Sequence, residues 1–170
     1  MKRFHIVLGL PEAVGARIVR REAVRAVVFR DDTVLMVKTN KGDYKFPGGG
    51  VEGTESREDA LKREINKETG YTVTRVKEET GDALQRHIDT FDDEAVFEMT
   101  SRYYICEVSF ERTVQRLDEY EAALGFTPVW VTIDDAIAVN EALLAAHNTG
   151  INPWVYRETC VLKELRKRKG

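Results

Sequence analysis

The sequence is poor in the residues that staple small proteins together. Of its 170 residues only two are cysteines, Cys106 and Cys160. They lie far apart in no CxxC arrangement, which excludes a disulfide framework and a zinc ribbon and leaves two reduced structural thiols. Long apolar runs are missing too. Residues 1–10 carry Phe4, Ile6, Val7, Leu8 and Leu10, too short a run to span a bilayer, with Pro11 soon after and no small-residue cleavage pattern. They read as a strand, and a cytoplasmic location without membrane contact is the expectation. Nor is there an excess of positive charge. A formal net charge of -3 offers no basic stripe for a phosphate backbone, which disfavours stable nucleic-acid binding. No internal repeat or linker is visible.

What is present is enough for a core. With 42% hydrophobic and 32% charged residues, the composition is that of a soluble globular chain, and the length suits a single domain over residues 1–170. Residues 24–29 and Thr33–Lys38 are β-branched-rich runs around a polar turn, a hairpin signature. Residues 40–43 form a second turn signal, and residues 47–50, Pro-Gly-Gly-Gly, read as a loop of closely approaching backbone. Ser56 as N-cap and Gly70 as terminator bound a helix over Arg57–Thr69. Residues 71–76 alternate as a strand, residues 77–96 are ambiguous, and residues 97–108 carry a longer strand pattern. Pro128 precedes a short strand at 129–131. A helical stripe from Ile133 to Leu144 ends near Gly150, and Asn152-Pro153 cap a last helix running through Leu165. This order predicts an α+β fold with a mixed sheet between helices, a core of about 20–148 and a C-terminal helix of about 153–168. The histidines, His5, His87 and His147, have no metal-ligand spacing. Trp130, flanked by valines, reads as core.

The chemistry concentrates around the first helix. Gly49, Glu55, Arg63, Glu64, Ile65, Glu68, Gly70 and Tyr71 fall at the spacing G-x5-E-x7-R-E-hydrophobic-x-x-E-x-G-hydrophobic. Six fixed residues, each present at roughly 1 in 15, coincide at a given start about once in ten million by chance. At 100° per residue, Glu64 and Glu68 are neighbours one turn apart, while Leu61 and Ile65 form the adjacent stripe. The helix is therefore half core and half acid. Like charges at this spacing destabilise a helix by a few tenths of a kcal/mol, and a hard divalent cation with oxygen ligands offsets them, Mg²⁺ best.

The pattern resembles the Nudix box, and the resemblance implies a Nudix-like α/β/α sandwich. It also implies a metal-dependent hydrolase that cleaves the diphosphate linkage, a phosphorus-containing acid anhydride, of a nucleoside diphosphate joined to another moiety. Mg²⁺ would be the cofactor, with Mn²⁺ as a substitute, and a small nucleotide-like molecule the substrate; a homodimer is allowed. The resemblance makes Glu64 a metal ligand or the base for the attacking water, Glu68 the principal metal carboxylate, and the Gly48 carbonyl a further ligand. Glu55 would pair with Arg63, which holds Glu64, and these three form the catalytic set. Gly49 and Gly50 would let the backbone approach phosphates. A further acid is expected after the box, and Glu121, in the run 118–121, is the candidate metal ligand. One position departs from the pattern: Lys67 stands where the box has a third glutamate. About 60° round the helix from Glu64, its ammonium either weakens metal binding or takes a substrate phosphate as a point charge. The alternative reading is a nucleotide-binding module with weak or lost turnover. There is no proline between Pro47 and Pro128, which counts against ADP-ribose and NADH signatures and leaves the leaving group open.

Overall fold

The computed structural model describes residues 2–12, 15–146 and 149–169, so His147 lies outside the described residues. The elements are β1 (Phe4–Gly9), β2 (Arg17–Val27), β3 (Phe29–Arg30), β4 (Thr33–Lys38), β5 (Tyr44–Lys45), β6 (Gly48–Gly50), α1 (Arg57–Thr69), β7 (Tyr71–Ile88), β8 (Ala95–Arg112), α2 (Glu119–Ala123), β9 (Thr127–Thr132), α3 (Ile133–Ala145) and α4 (Val155–Lys169). A mixed sheet runs in the order β1-β7-β8-β2-β6, with β1/β7 and β2/β8 parallel. A second, antiparallel sheet is built on β4, which pairs with β3, β5 and β9. Among the described residues no helix is long and apolar enough to cross a membrane.

Alternation along the central strands explains why helices cover both faces. Val24, Ala26 and Val28 pack with Leu35 in one core beneath Ala60, Leu61 and Ile65 of α1. Val27, Val34 and Met36 pack in a second core with Ile133 and Ile137 of α3 and Val161 and Leu162 of α4. Successive side chains point to opposite faces, so a strand buried on both sides reads as a continuous apolar run. The α+β arrangement expected from the sequence, a mixed sheet between helices, is present.

Helix α1 occupies its expected bounds. The Ser56 hydroxyl accepts from the Asp59 amide at 3.1 Å, and Gly70 closes the helix with φ 79°, a left-handed conformation that suits glycine. Leu61 and Ile65 are fully buried, each contributing roughly 2 kcal/mol of apolar transfer. Glu64 and Glu68 share the buried face, which lets one helix bind the core and present carboxylates.

The structure corrects several local expectations. The ambiguous stretch 77–96 holds the second half of β7, a short turn, and the start of β8. Register shifts between Tyr71 and Gly81 move the alternation from one face to the other, which erased the two-residue period. Gly48–Gly50 are a strand, not a loop, paired with Ala23–Arg25 of β2. The acidic run 118–121 opens α2, a helix the sequence reading missed. Helix α4 starts at Val155 and continues past Leu165 to Lys169, and the Asn152 side chain bonds Asp43 and Thr39 instead of capping it. Trp130 is half-buried against the α1 core, its indole N–H donating to the Tyr71 hydroxyl.

Candidate functional site

Two elements converge on one carboxylate cluster. Glu64 and Glu68 come from α1 and Glu121 from α2, and one oxygen from each lies within 4.8 Å of the others. All three residues are buried. The short helix places Glu121 by a capping box: the Asp118 side chain accepts from the Glu121 amide at 2.9 Å, and the Glu121 carboxylate accepts from the Asp118 amide at 3.1 Å.

Glu64 is held from the side by a guanidinium. Arg63 donates to Glu64 Oε1 at 2.5 Å, to both oxygens of Glu55 at 2.8 and 2.9 Å, and to the Gly50 carbonyl at 3.0 Å. This is the bidentate fork that residue type allowed. The Arg63 hydrogen bonds, with one from the Glu52 backbone, bring the Glu55 carboxyl down to about 2. Gly49 closes the arrangement from the other side: a Cβ there would lie 2.6 Å from the Glu64 carboxyl carbon. The neighbour that requires a glycine at position 49 is thus the Glu64 carboxylate.

Glu68 is bound differently. Its Oε1 accepts from the Gly48 amide at 2.7 Å, and its Oε2 lies 3.5 Å from the Lys45 ammonium. The contact described at Gly48 is thus through its amide, where the sequence reading used its carbonyl. Burial pushes the Glu68 carboxyl up to about 7, against the pull of Lys45 and the Gly48 amide. Burial likewise presses the Lys45 ammonium down.

This shift has a measurable consequence for the metal-free protein. A carboxyl whose folded value lies above its ordinary 4.5 stabilises the fold below that value, and the contribution is lost as pH rises through about 7. In EDTA, the melting temperature of the unmodified protein relative to Glu68→Gln is expected to fall by several degrees between pH 5 and pH 8. A difference that stays flat across that range would contradict the assignment.

Lys67 projects into the cluster. Its ammonium is 3.1 Å from Glu121, 3.5 Å from Asp118 and 3.7 Å from Glu64. Partial burial works against its charge, yet the Glu121 hydrogen bond and the carboxylates of Glu64, Glu121 and Asp118 outweigh it and raise its pKa. The donor set suits a hard divalent cation: three buried carboxylates, offering oxygen only.

The cluster opens onto a cleft of about 340 Å³, lined by Glu68 and Glu121 at one end and by Trp154, Phe126 and His87 elsewhere. Lys45, Arg25 and Arg157 were not singled out from the sequence, and His87 was set aside there for want of a metal-ligand spacing. Arg25 carried a signal, a charge on the face of β2 that otherwise reads as apolar. Glu158 carried the same signal in the apolar stripe of α4, and it is fully buried, accepting from the Tyr103 hydroxyl at 2.7 Å and the Phe46 amide at 3.1 Å.

Comparison with known proteins bears on the family and the fold. The NUDIX domain family matches residues 19–155. Solved structures with a similar fold include a MutT NUDIX hydrolase from Burkholderia pseudomallei, 24% identical over 68% of this chain and 85% of that one, with a TM-score of 0.50. A MutT protein from Bacillus halodurans is also 24% identical, over 70% and 72% of the two chains, with a TM-score of 0.52. A NUDIX hydrolase from Nitrosomonas europaea is 20% identical over 88% and 91%, with a TM-score of 0.51. No curated protein sequence is a significant match.

Proposed function

The chain belongs to the NUDIX family, and from that premise we propose that it is a MutT-like, metal-dependent pyrophosphohydrolase acting on a nucleoside diphosphate joined to a further group. The observation that carries this reading is the convergence of Glu64, Glu68 and Glu121 within 4.8 Å, with Glu68 and Glu121 lining a cleft. These three carboxylates would hold Mg²⁺ or Mn²⁺, which supplies charge neutralisation for the diphosphate and a lowered pKa for water. Glu64, fixed by Arg63 and Glu55, is the group positioned to accept a proton from the attacking water, a role worth roughly 10²- to 10⁴-fold. Glu68 and Glu121 orient the site from opposite elements. The flanking Trp154 and Phe126 offer apolar faces to a base. A panel of nucleoside triphosphates, nucleotide sugars and other diphosphate-linked nucleotides, assayed with Mg²⁺ or Mn²⁺, tests the reading; no turnover anywhere in the panel would defeat it. Action in the cytoplasm and a homodimeric state belong to the same proposal, the latter checked by sedimentation.

Lys67 favours a second reading, a nucleotide-binding module without turnover, because its ammonium already neutralises part of the cluster. The two are separated at that residue. Removing a positive charge 3.1 Å from a carboxylate is expected to raise Mn²⁺ affinity roughly tenfold in Lys67→Gln, a Coulomb energy of ~5 kcal/mol at a dielectric of ~20 being largely screened in an open site. Calorimetry with Mn²⁺ alone reads this; unchanged affinity would mean that Lys67 does not compete with metal. Turnover by the unmodified protein would rule out the second reading.

A further inference from the structure

Three cations line the inner part of the cleft: Arg25 from β2, Lys45 from β5 and Arg157 from α4. Two of them are in contact with a carboxylate, although Arg157 keeps its buried Nε without a partner. Arg157 donates to Gln85 Oε1 at 2.9 Å and to Glu158 Oε1 at 3.2 Å, and Lys45 lies 3.5 Å from Glu68. Arg25 is not. Its Nε donates to the Ser101 hydroxyl at 3.2 Å, but among the described residues neither terminal nitrogen has a hydrogen-bond partner and no carboxylate lies within 4.0 Å. Yet the residue is only 6% exposed.

The outer nitrogens of Arg25 are not sealed off and keep contact with solvent in the cleft. A charge so largely withdrawn from water with no carboxylate in contact is nevertheless costly, and arginine does not escape by releasing its proton. Burial and the adjacent Arg157 press against its charged form, and the carboxylates of Glu158 and Glu68, beyond contact distance, support it only in part. An apolar residue would suit this face of β2 better, since Val27, two residues on, belongs to the core. The position of the fork narrows what it waits for. Arg25 is the register partner of Gly48, whose amide binds Glu68, so its side chain lies one strand over from the carboxylate cluster. Ser101 fixes Nε, leaving the two outer nitrogens oriented in advance.

We propose that Arg25 is a phosphate anchor: its free fork binds two oxygens of a substrate phosphoryl group beside Glu68, and does so without metal. This rests on the reading of the cleft as a diphosphate site. It adds a residue outside the box that selects for a tetrahedral dianion, because planar, bidentate recognition is what a guanidinium offers and an ammonium does not.

Titrating the full-length protein with inorganic pyrophosphate in EDTA, by calorimetry, isolates this contact from metal and from turnover. The unmodified protein is expected to bind, and Arg25→Met to bind roughly 10- to 100-fold more weakly. The melting temperature of Arg25→Met should be unchanged or higher, because an unmatched buried charge has gone, and its Mn²⁺ binding should be no weaker. Arg25→Lys keeps the charge, loses the fork, and should also bind more weakly; it carries the readout if the methionine variant does not fold. Pyrophosphate affinity equal to that of the unmodified protein in the folded variants overturns the proposal, as does no binding by the unmodified protein. Neither result depends on whether the nucleotide panel is hydrolysed, so the anchor and the hydrolase reading fail separately.

Discussion

Glu68→Gln is expected to lower Mn²⁺-dependent turnover by roughly 10²- to 10⁴-fold while leaving the protein folded. Glutamine keeps the shape of the side chain, and its carbonyl can still accept from the Gly48 amide, now 2.7 Å from Glu68 Oε1. What disappears is the charge. Burial already pushes this carboxyl up to about 7, so at neutral pH it is divided between neutral and ionised forms, and only the ionised form is a good ligand for a hard cation. Proton and metal compete for this carboxylate, so the Mn²⁺ affinity of the unmodified protein is expected to fall as pH drops below 7, a dependence that is weaker in Glu68→Gln. Glu64→Gln should lose turnover to a similar degree for a different reason. Its amide cannot accept a proton, and Arg63, which donates to Glu64 at 2.5 Å, would have a neutral partner. Measured kcat with Mn²⁺ for the three proteins decides the matter, with thermal melts as the check on folding. Equal kcat in all three would remove the carboxylate cluster from the chemistry.

The parts of this site that could be read from the sequence are those governed by local rules. A cap, a terminator and the 100° step of a helix are local, so α1 and the shared face of Glu64 and Glu68 followed from spacing alone. The Glu55–Arg63 pair bridges only eight positions, but it was implied by the family resemblance, with the match of a guanidinium to a carboxylate in its favour. From residue 77 to Gly81 register shifts break the two-residue period on which strand recognition depends; from Gly81 to Ile88 the register is regular, but Asp82, Gln85, Arg86 and His87 leave no clean apolar alternation. Helix α2 was missed for another reason. Five residues hold little more than one turn, too few for a helical stripe to appear, although Asp118 followed three residues later by Glu121 is a capping-box pattern. Arg25, Lys45 and Arg157 meet only when β2, β5 and α4 pack together, and no local period encodes that. Arg25 and Glu158 left a trace nonetheless, each a charge in an otherwise apolar stripe. Such breaks of local consistency are where function or buried pairing is expected.

The three consecutive glycines of β6 should respond to alanine in three different ways. At Gly50 an added Cβ meets nothing within 4 Å, so Gly50→Ala should match the unmodified protein in melting temperature and kcat; a raised KM would instead restore the expected contact between this residue and substrate. At Gly48 the Cβ would lie 2.1 Å from the Val24 carbonyl oxygen and 2.7 Å from the Arg25 Cα. Both are backbone atoms of the paired strand, so β2 and β6 must separate, a loss of roughly 3 kcal/mol or more that should appear as unfolding. Gly49→Ala is the informative case. Its Cβ would fall 2.6 Å from the Glu64 carboxyl carbon and 2.7 Å from Oε2, and that carboxylate is a side-chain end, so the fold can survive by moving it. It cannot move freely, because Arg63 holds Oε1 at 2.5 Å and Lys67 stands 3.7 Å from Oε2. A displacement of about 1 Å in a positioned group costs on the order of 10²-fold in rate. Gly49→Ala is therefore expected to lose about 10²-fold in kcat with a near-normal melting temperature, the reverse of Gly48→Ala. Full activity in Gly49→Ala would mean that the position of Glu64 does not limit turnover, and the role of Arg63 and Glu55 in holding it would fall with that result.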